Sequence, residues 1–518
     1  MLRRSVFAAA CTALLVPATV FASGFEVPDN GTRSLGRGGA YAASVDEPTA
    51  IYYNPAALTR IRRTAVTANL TLFSERHAFE RESFEYYDGT IESELTRRQI
   101  DFDRVESETG WFPAPMLFAA SNFGLENWTF GAAAYGPSSH GRTDWPDMQL
   151  RPPDWSGDQQ DYYEPGRGEP ITRDGGNAYM ELGHDLLLVY PSLAAAYHIE
   201  NLNLSVGLTA QLALLWVDYD VGVDGLFGTG SVNQESRERA DLYSTTKLDT
   251  FGMTVTGILG VLWEPTDRIA IGASYRPRHR IRTEGTIEVG YPQSLLSNNP
   301  QIDDDTAYMT TWMPDVVRLG AVYTHRDGSN REIFDVEANL VYEGWHVAEG
   351  FEVELNGRLS DDAGATNNQA LPDLFLERNW QDTFSVRLGS DLSMLRNAET
   401  GNGLVLRLGG YYERSAQPEE WTNLDFMPFD RLAGTLGASY HIGAMSIDAA
   451  YAYVASPSRT VTDGEYELLV PLWVCNDPPD EATAEACEGV TDGPGHPVNN
   501  GRYETGFQMI SLGLTWGW

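Results

Sequence analysis

The chain ends in the stretch ISLGLTWGW, residues 510–518, in which large apolar residues alternate with small or polar ones. Ile510, Leu512, Leu514, Trp516 and Trp518 fall on one side of an extended chain, and Ser511, Gly513, Thr515 and Gly517 fall on the other. Successive side chains of a β-strand point to opposite faces, so this period of two predicts a strand with one apolar face. Such a strand is typical of a transmembrane β-barrel.

The same alternation recurs from about residue 64 onward. Residues 204–216 are a second clear example, with Leu, Val, Ala and Trp opposite Ser, Gly, Thr and Gln. About fourteen such segments lie near residues 64–78, 113–123, 128–136, 185–199, 203–219, 248–263, 268–289, 312–325, 331–354, 378–394, 403–414, 428–441, 445–455 and 503–518. Their number is large enough for a wide barrel with a substantial interior.

The connections between these segments are alternately short and long. The short ones include residues 124–127, 200–201, 264–267, 326–329 and 442–444, while the long ones, at 79–112, 137–184, 220–247, 290–311, 355–377, 415–427 and 456–502, are acidic and rich in Pro and Gly. Outer-membrane barrels have short periplasmic turns and long external loops. The sequence therefore predicts an all-β fold, a transmembrane antiparallel β-barrel of about fourteen strands in residues 64–518. A soluble β-sandwich is the alternative.

Charge and hydropathy narrow the classes of function. The 518 residues include 36 Lys+Arg and 73 Asp+Glu, which gives a formal net charge of −37. Because a nucleic-acid binder needs a basic face toward the phosphates, no nucleic-acid partner is expected. After residue 22 no stretch approaches the ~18 consecutive apolar residues of a spanning helix, which excludes a helical membrane protein.

The first 22 residues have the features of a cleaved signal peptide. Arg3 and Arg4 precede an apolar run, residues 5–20, and Val20-Phe21-Ala22 forms a small-residue cleavage site. Export combined with a predicted barrel places the protein in the outer membrane of a Gram-negative bacterium. There we expect it to contact lipid and lipopolysaccharide as a monomer.

Two cysteines, Cys475 and Cys487, remain after the predicted cleavage. They lie in one long segment rich in Pro, Asp and Glu. In an exported protein this arrangement predicts a local disulfide. A metal site is the alternative, but no His or further Cys stands at ligand spacing, so neither a metal nor a cofactor is expected.

Residues 23–63 do not follow the strand pattern. They are rich in Gly and Ala, with short helical stretches around Arg33–Ala43 and Pro55–Arg60. Non-strand backbone is excluded from lipid, so this segment must lie in the lumen or in the periplasm. We interpret it as a hatch that closes the barrel.

Several motifs resemble one known family. They are Ser23-Gly24-Phe25, Ser34–Ala40, Asp46–Thr49, Tyr53-Asn54-Pro55-Ala56-Ala57-Leu58, Trp128–Gly131 running to Gly136-Pro137, Trp263–Asp267, Ile271–Arg276, Met313-Pro314-Asp315, Asn379–Thr383 and Leu406–Tyr411. Together they resemble the FadL/TodX family of outer-membrane transporters for hydrophobic compounds. The Asn-Pro-Ala triplet preceded by an aromatic residue is the most specific part.

This resemblance implies a fourteen-stranded barrel closed by the hatch, and passive uptake of long-chain fatty acids or similar hydrophobic compounds. It also implies sideways release through a gap at a kink in the third strand. The matching kink falls at Gly136-Pro137, where Pro removes a ladder donor and Gly tolerates the bend. An ordinary strand end is the alternative for this dipeptide. Whether the substrate is a fatty acid or a hydrocarbon stays open.

Residue parity turns several arginines toward the lumen. In segment 268–289 the apolar residues read as lipid-facing, so Arg276 and Arg278 are predicted to point inward. The same parity turns inward Arg318, Arg387, Arg407, Asp335, Glu337 and Asp391. An arginine at mid-depth on the lipid face would cost ~2–4 kcal/mol. These arginines either brace wall and hatch through carboxylates or hold a substrate carboxylate bidentately.

Other functions find less support in the sequence. The nine histidines form no His-x-x-x-His pair, and no Ser/His/Asp order is apparent, so no enzyme and no catalytic residue is predicted. A general porin needs an open lumen, which a hatch of about forty residues would block. An adhesive or structural barrel with its long acidic loops is the remaining alternative.

The end of the hatch that adjoins the first strand predicts a tether for gating. Asn54-Pro55-Ala56 precedes the first strand, where Asn can bond its own backbone and Pro suits the first turn of a helix. A rigid tether there would let the N-terminal end of the hatch move alone, with Phe25 as an apolar group that substrate displaces. Simple helix capping is the alternative.

Overall fold

The computed structural model describes residues 30–86, 97–108, 110–136, 142–146, 172–173, 176–177, 180–224, 243–290, 301–360, 369–371, 373–396, 402–466 and 497–518. The predicted signal peptide (1–22), Phe25, Pro137, Cys475 and Cys487 lie outside the described residues, so the roles assigned to them stay predictions. The described part forms one closed wall of strands and an N-terminal segment inside it.

Fourteen strands form the wall. They are β1 (Thr64–Tyr86), β2 (Trp111–Ser121), β3 (Trp128–Tyr135), β4 (Glu181–Ile199), β5 (Leu204–Asp224), β6 (Tyr243–Thr266), β7 (Ile269–Arg276 and His279–Gly290), β8 (Thr306–Met313 and Val316–Arg326), β9 (Glu332–Glu343 and Gly350–Leu355), β10 (Leu374–Glu377 and Thr383–Arg396), β11 (Gly403–Glu413), β12 (Arg431–Ile442), β13 (Met445–Ala455) and β14 (Gly501–Gly517). Each strand pairs antiparallel with the next, and β14 pairs with β1. The predicted barrel of fourteen strands is confirmed. Closure pairs the backbone of both terminal strands, as a lipid environment requires.

Short elements flank the wall. They are the strands Arg97–Phe102, Val105–Glu106, Arg142–Asp144, Thr172–Arg173 and Arg459–Val461, a small separate sheet of Gln301–Ile302, Arg358–Ser360 and Gln369–Ala370, and the 3-10 helices Glu200–Leu202 and Trp345–Val347. The connections at 122–127, 200–203, 267–268, 327–331, 397–402 and 443–444 are short and alternate with the longer ones. The predicted division into short turns at one end and long loops at the other is therefore confirmed.

Side chains alternate between the outer surface and the lumen. In β14, Ile510, Leu512 and Leu514 are exposed on the outside, whereas Met509 and Ser511 are fully buried inside. Exposed apolar side chains of this kind cover the outer face of most wall strands, which is the surface that a bilayer needs.

Four neighbouring strands are interrupted side by side: β7 at residues 277–278, β8 at 314–315, β9 at 344–349 and β10 at 378–382. Contacts between the interruptions show that they adjoin, since the Gly344 N–H donates to the Asp315 carbonyl at 2.9 Å. The rings of Trp345 and Trp380 also meet there, with centroids 5.0 Å apart. Both tryptophans are buried, so these interruptions turn large aromatic side chains into the barrel.

The interruption in β7 corrects one sequence prediction. Leu259 of β6 pairs with Tyr275, but Gly252 pairs with Thr283, so β7 carries one more residue than β6 between these pairs. An extra residue shifts the alternation by one and exchanges the two faces of the strand. Arg276 therefore lies inside the barrel as predicted, whereas the prediction that Arg278 faces the lumen is wrong, because Arg278 is exposed outside.

Residues 30–63, the described part of the hatch, lie inside the wall. They form helix α1 (Thr32–Gly36), helix α2 (Ala50–Tyr53) and a 3-10 helix (Pro55–Arg60). Helix α1 contacts β11 to β14, and the 3-10 helix contacts β3 to β6, so the hatch spans the lumen from one side to the other. No helix among the described residues is long and apolar enough to cross a membrane.

The hatch lies against a set of inward-facing glycines. A Cβ atom added to any of them would come within 3.1 Å of a hatch atom; they are Gly131, Gly207, Gly260, Gly272, Gly320, Gly389, Gly409, Gly437 and Gly513. Gly207 and Gly260 are directly paired in the sheet and receive Pro55. Because glycine has no Cβ, the hatch backbone can approach the wall backbone directly at these points.

Gly260→Ala should loosen the hatch while the barrel still assembles. The added methyl group would lie 2.3 Å from Asn54 Oδ1, and overpacking of this kind costs about 1–3 kcal/mol. Gly434→Ala in β12 is the matched control, because its methyl group would meet no atom within 4 Å. Hydrogen exchange of residues 30–63 in detergent should be faster in the first variant only; equal exchange in both would contradict the packing role.

Candidate functional site

The triplet Asn54-Pro55-Ala56 joins the hatch to the wall. Asn54 Oδ1 accepts a hydrogen bond from the Ala56 N–H at 3.2 Å and so caps the 3-10 helix. Its Nδ2 donates to the carbonyls of Ala42 and Val261, both at 2.9 Å, and Val261 belongs to β6. Asn54 therefore caps a helix and ties it to the wall at once, so the two readings of this residue are compatible. A part in gating stays a prediction.

Arg37 holds the middle of the hatch through ion pairs. Its Nη1 lies 2.8 Å from Asp335 Oδ1 and also contacts Asp391, and its Nη2 lies 3.6 Å from Glu337 Oε2. Burial by itself would lower the pKa of Arg37, but these carboxylates raise it well above its usual value. Because Asp335 and Glu337 belong to β9 and Asp391 to β10, this cluster fixes the hatch to two wall strands.

Two of the predicted lumenal arginines are bound to wall carboxylates. Arg387 Nη2 lies 2.7 Å from Glu413 Oε2, and Glu413 Oε1 lies 3.2 Å from Arg431. Arg407 Nε lies 3.0 Å from Asp391 Oδ2. Both guanidinium groups are buried inside the barrel, as parity predicted, and both already have carboxylate partners. Their geometry is that of braces within the wall.

The other two arginines lie among aromatic rings. Arg318 Nη2 donates to the Tyr52 hydroxyl at 2.8 Å, and its guanidinium lies 4.6 Å from the centroid of that ring. The guanidinium of Arg276 lies 5.9 Å from the Tyr190 centroid. Tyr135 connects them, with its ring 5.5 Å from Tyr52 and 6.0 Å from Tyr190. We name these five residues the tyrosine–arginine cluster.

Arg318 differs in charge balance from the arginines that brace the wall. It is buried, and within the described ranges no Asp or Glu oxygen lies within 4.0 Å of its guanidinium. The Tyr52 ring and hydroxyl stabilise the cation in part. A buried cation without a carboxylate partner is costly, so an anionic group of a ligand would be stabilised here.

An apolar pocket lies on the lumenal face of β5 to β10. Its lining is formed by Tyr219, Val221, Thr246, Leu248, Ile287, Met309, Phe351, Val353, Leu374 and Leu376. The cavity volume is about 20 Å³, room for about one water molecule, so a larger ligand requires these side chains to move apart. One continuous cluster of buried apolar residues joins this pocket to the tyrosine–arginine cluster and to the hatch residues Ile51 and Leu58.

The ladder between β2 and β3 stops short. Leu117–Ser121 pairs with Phe130–Ala134, whereas residues 111–116 of β2 have no ladder partner in β3 among the described residues. In the same register Pro115 would face Gly136, directly after the end of β3. A Cβ atom on Gly136 would lie 2.6 Å from the Leu188 carbonyl oxygen of β4, so the chain here runs close to the neighbouring strand.

Two prolines in β2 explain why the ladder stops. Thr64 and Trp518 exchange hydrogen bonds, so even-numbered residues of β1 bond to β14 and odd-numbered ones bond to β2. Each odd-numbered residue of β1 pairs with an even-numbered residue of β2, so the even-numbered residues of β2 bond to β1. The backbone groups of the odd-numbered residues, which include Pro113 and Pro115, therefore face β3. Proline has no backbone N–H, so neither can donate across this edge.

Sequence reasoning missed three parts of this site. Pro113 and Pro115, at alternate positions of a strand, were a readable signal of an unpaired edge. The glycines that receive the hatch left only a weak signal, a high glycine content of 50 residues. Arg37 left none, because its carboxylate partners are some three hundred residues away in sequence. Among the residues that the structure describes, no group of three His, Cys, Asp or Glu could hold a metal ion.

Fold and site together define a plugged outer-membrane β-barrel whose lumen contains an apolar pocket. The chain belongs to the family of outer membrane transport proteins that includes OMPP1, FadL and TodX, whose family model matches residues 184–473. The resemblance found in the sequence motifs is thereby confirmed, and with it transport of hydrophobic compounds across the outer membrane as the function of the family. No curated protein sequence matches the chain.

Solved structures show the same fold. A FadL homologue of Pseudomonas aeruginosa is 15% identical, with 95% of this chain and 99% of that chain covered and a TM-score of 0.67. The toluene transporter TbuX of Ralstonia pickettii is 16% identical, with 95% and 100% covered and a TM-score of 0.56. The toluene transporter TodX of Pseudomonas putida is 13% identical, with 96% and 99% covered and a TM-score of 0.57.

Arg37→Met should strongly destabilise the hatch. The change leaves Asp335 and Glu337 without this cation and Asp391 with Arg407 alone, and breaking a buried ion pair costs about 3–5 kcal/mol. Arg331→Met removes an exposed ion pair with Asp327 and should cost less than about 1 kcal/mol. Protease cleavage within residues 30–63 measures the difference, and equal protection of both variants would show that Arg37 does not hold the hatch.

Proposed function

We propose that this protein takes up fatty acids or related hydrophobic compounds passively and releases them sideways through the wall beside β3. The observation that carries this proposal is the unpaired edge of β2 next to Gly136, adjoining a buried lumen lined by apolar side chains. An opening at this place leads to lipid, because the outward side chains of β2 and β3 include exposed Trp111, Leu117 and Phe130.

Capture from water needs no energy source. An acyl chain of about sixteen methylenes gains roughly 12 kcal/mol on leaving water, at ~0.8 kcal/mol per CH₂. The difficult step is release, because the same free energy opposes return to water on the periplasmic side. Transfer into the bilayer keeps the molecule in apolar surroundings throughout, which is why a lateral exit suits this class of substrate.

The arrangement of the lumen supports a route with two stages before lateral release. Substrate first enters the apolar pocket of β5 to β10, in the half of the barrel that carries the long loops. It then passes to the tyrosine–arginine cluster. Tyr135 is the last residue of β3 and packs against Phe118 of β2 with centroids 5.2 Å apart, so this cluster borders the unpaired edge.

Arg318 favours a substrate with a carboxylate. Two of the solved relatives are named for toluene, which carries no charge, and one is named as a FadL homologue. Here the guanidinium of Arg318 is buried, has no carboxylate partner in the part of the chain that the structure describes, and stands beside the exit route. A fatty-acid head group would supply the missing charge through a charge-assisted hydrogen bond, with Arg276 as a second cation nearby.

The hatch moves at its N-terminal end, with Phe25 leaving an apolar site, while Asn54, Pro55 and Ala56 hold the other end against β6. The exported monomer contacts lipid and lipopolysaccharide, and Cys475 and Cys487 form an external disulfide. Tight packing of the hatch against the wall supports a transporter with a plugged lumen rather than a general porin, because a porin needs an open lumen.

Replacing Pro113 and Pro115 together by Val should slow lateral release. The new backbone donors face β3 and allow the ladder to extend, and two hydrogen bonds of ~0.5–1.5 kcal/mol each correspond to roughly tenfold slower transfer into liposomes. Binding affinity should stay unchanged. Ala119→Val adds an outward branched side chain where the ladder is already formed and should release at the normal rate. Normal release from the double variant would count against this exit.

Arg318→Gln should weaken binding of a fatty acid by roughly tenfold or more, because a hydrogen bond to a charged group contributes ~1.5–3 kcal/mol. Binding of the methyl ester of the same acid should change little. Titration with both ligands measures the difference. Arg387→Gln is the comparison, since Arg387 is already paired with Glu413 and should not distinguish acid from ester. Equal losses for acid and ester in Arg318→Gln would remove the head-group role.

A further inference from the structure

The connection between β11 and β12, residues 414–430, folds into the mouth of the barrel. Most of its side chains are buried; they include Ala416, Gln417, Thr422, Asn423, Leu424, Asp425, Phe426, Met427 and Phe429. A connection on the loop side of a barrel normally lies in solvent. This one is instead packed against the wall and covers part of the lumen.

One limb of this connection is firmly attached. Arg459 donates to the Thr422 hydroxyl at 2.8 Å and to the Ser415 hydroxyl at 2.9 Å. Asn499 Nδ2 donates to the carbonyls of Glu420 and Thr422 at 2.9 and 2.8 Å. Residues 415–422 are therefore held by the segments that lead out of β13 and into β14.

The tip of the connection, residues 424–427, is held by different contacts. Asp425 Oδ2 lies 2.5 Å from Nε of Arg378, which sits in the interruption of β10, and both side chains are 1% exposed. The Phe426 ring packs against Trp380 and Phe351, with centroids 6.1 and 6.0 Å apart. Phe351 lines the apolar pocket, so Phe426 covers the pocket at its edge.

The backbone of the tip is strained. Met427 has a φ of 37°, a region that residues other than glycine rarely occupy and that costs of order 1–3 kcal/mol. Asp425 Oδ1 accepts a hydrogen bond from the Phe426 N–H at 2.8 Å, so the carboxylate that pairs with Arg378 also fixes the position of Phe426. A strained segment persists only where surrounding contacts hold it. Here those contacts are the ion pair, the packing of the Phe426 ring, and the burial of Leu424 and Met427 in an apolar cluster with Phe429 and Tyr503.

We propose that residues 424–427 form an entrance lid, closed in this structure, with Phe426 as its plug and Asp425–Arg378 as its latch. An apolar chain that enters the pocket competes with Phe426 for Phe351 and Trp380 and displaces it. The firmly attached limb stays in place, so only the tip swings. Phe426 and Asp425 thereby control entry to the apolar pocket, a role that rests on the proposed transport of hydrophobic compounds.

Arg378 is suited to remain in place when the lid opens. Its Nη1 donates to the Glu377 carbonyl at 2.9 Å, its Nη2 to the Tyr219 hydroxyl at 3.2 Å, and its guanidinium lies 5.2 Å from the Phe351 centroid. These contacts come from the wall and keep the cation partly satisfied without Asp425. The latch can therefore break without moving the wall, and the strain at Met427 favours opening.

The test is the rate at which the full-length protein in detergent binds a pyrene-labelled decanoic acid, followed by stopped-flow fluorescence. If the lid is closed most of the time, only the fraction of molecules with an open lid can bind the probe. The apparent affinity for the probe is then the intrinsic affinity multiplied by that fraction. Phe426→Ala should then bind the probe roughly fivefold faster or more, and with a lower apparent Kd. Asp425→Asn, which keeps the size of the side chain and removes its charge, should also accelerate binding.

Phe429→Ala is the matched control. Phe429 is buried in the same connection but packs against Tyr503 and Arg459, away from the pocket. Its truncation should leave the rate unchanged. Acceleration in both phenylalanine variants would show a general loosening of the connection and overturn the lid, as would a normal or slower rate in Phe426→Ala.

Hydrogen exchange of the unmutated protein gives a second measurement. Saturation with the probe should increase exchange of the peptide that covers residues 423–427 and leave that of residues 415–422 unchanged. Exchange at the tip that is unchanged or slower would overturn the lid even if transport itself is established. If the unmutated protein fails to bind the probe, both the proposed function for this substrate class and the lid that depends on it are overturned.

Discussion

The hatch lies directly against the wall backbone at places where the inward-facing wall residue has no side chain. Nine wall strands present a glycine at these places, and a methyl group on any of these glycines would collide with hatch atoms. Direct backbone contact then positions the polar groups of the hatch: Asn54 reaches the Val261 carbonyl, and Arg37 reaches the carboxylates of β9 and β10. The placement of the buried ion pairs, and hence of the lumen that remains, follows from this close fit.

The membrane imposes a second constraint, that backbone groups in the wall must be paired. Circular pairing of fourteen strands meets it almost everywhere. The edge of β2 beside Gly136 is one place in the described part of the wall where the ladder is incomplete, and there Pro113 and Pro115 have no donors to leave unpaired. An opening toward lipid can therefore exist at that edge at a lower cost than elsewhere, because proline has already removed the N–H groups that lipid would penalise.

Arginine serves two purposes inside this barrel. Arg37, Arg387 and Arg407 have carboxylate partners and join hatch to wall or strand to strand. Arg318 has aromatic partners and no carboxylate partner in the described part of the chain. The first group explains how an acidic protein keeps buried charge within a lumen, since each cation is balanced by wall carboxylates. Arg318 places a cation without a carboxylate partner among the described residues beside the proposed exit, where the head group of a fatty acid would balance its charge.

The sequence by itself determined the fourteen strands, the ends at which short and long connections lie, and the inward placement of Arg276, Arg318, Arg387 and Arg407, because alternation with a period of two is a local property of the chain. It also contained the two prolines of β2, a signal that could have been read. Only the tertiary structure decided which arginines are braced, where hatch and glycines meet, and that Arg278 faces outward. Those outcomes depend on contacts between residues hundreds of positions apart and on a single extra residue in β7, and neither leaves a trace in local periodicity.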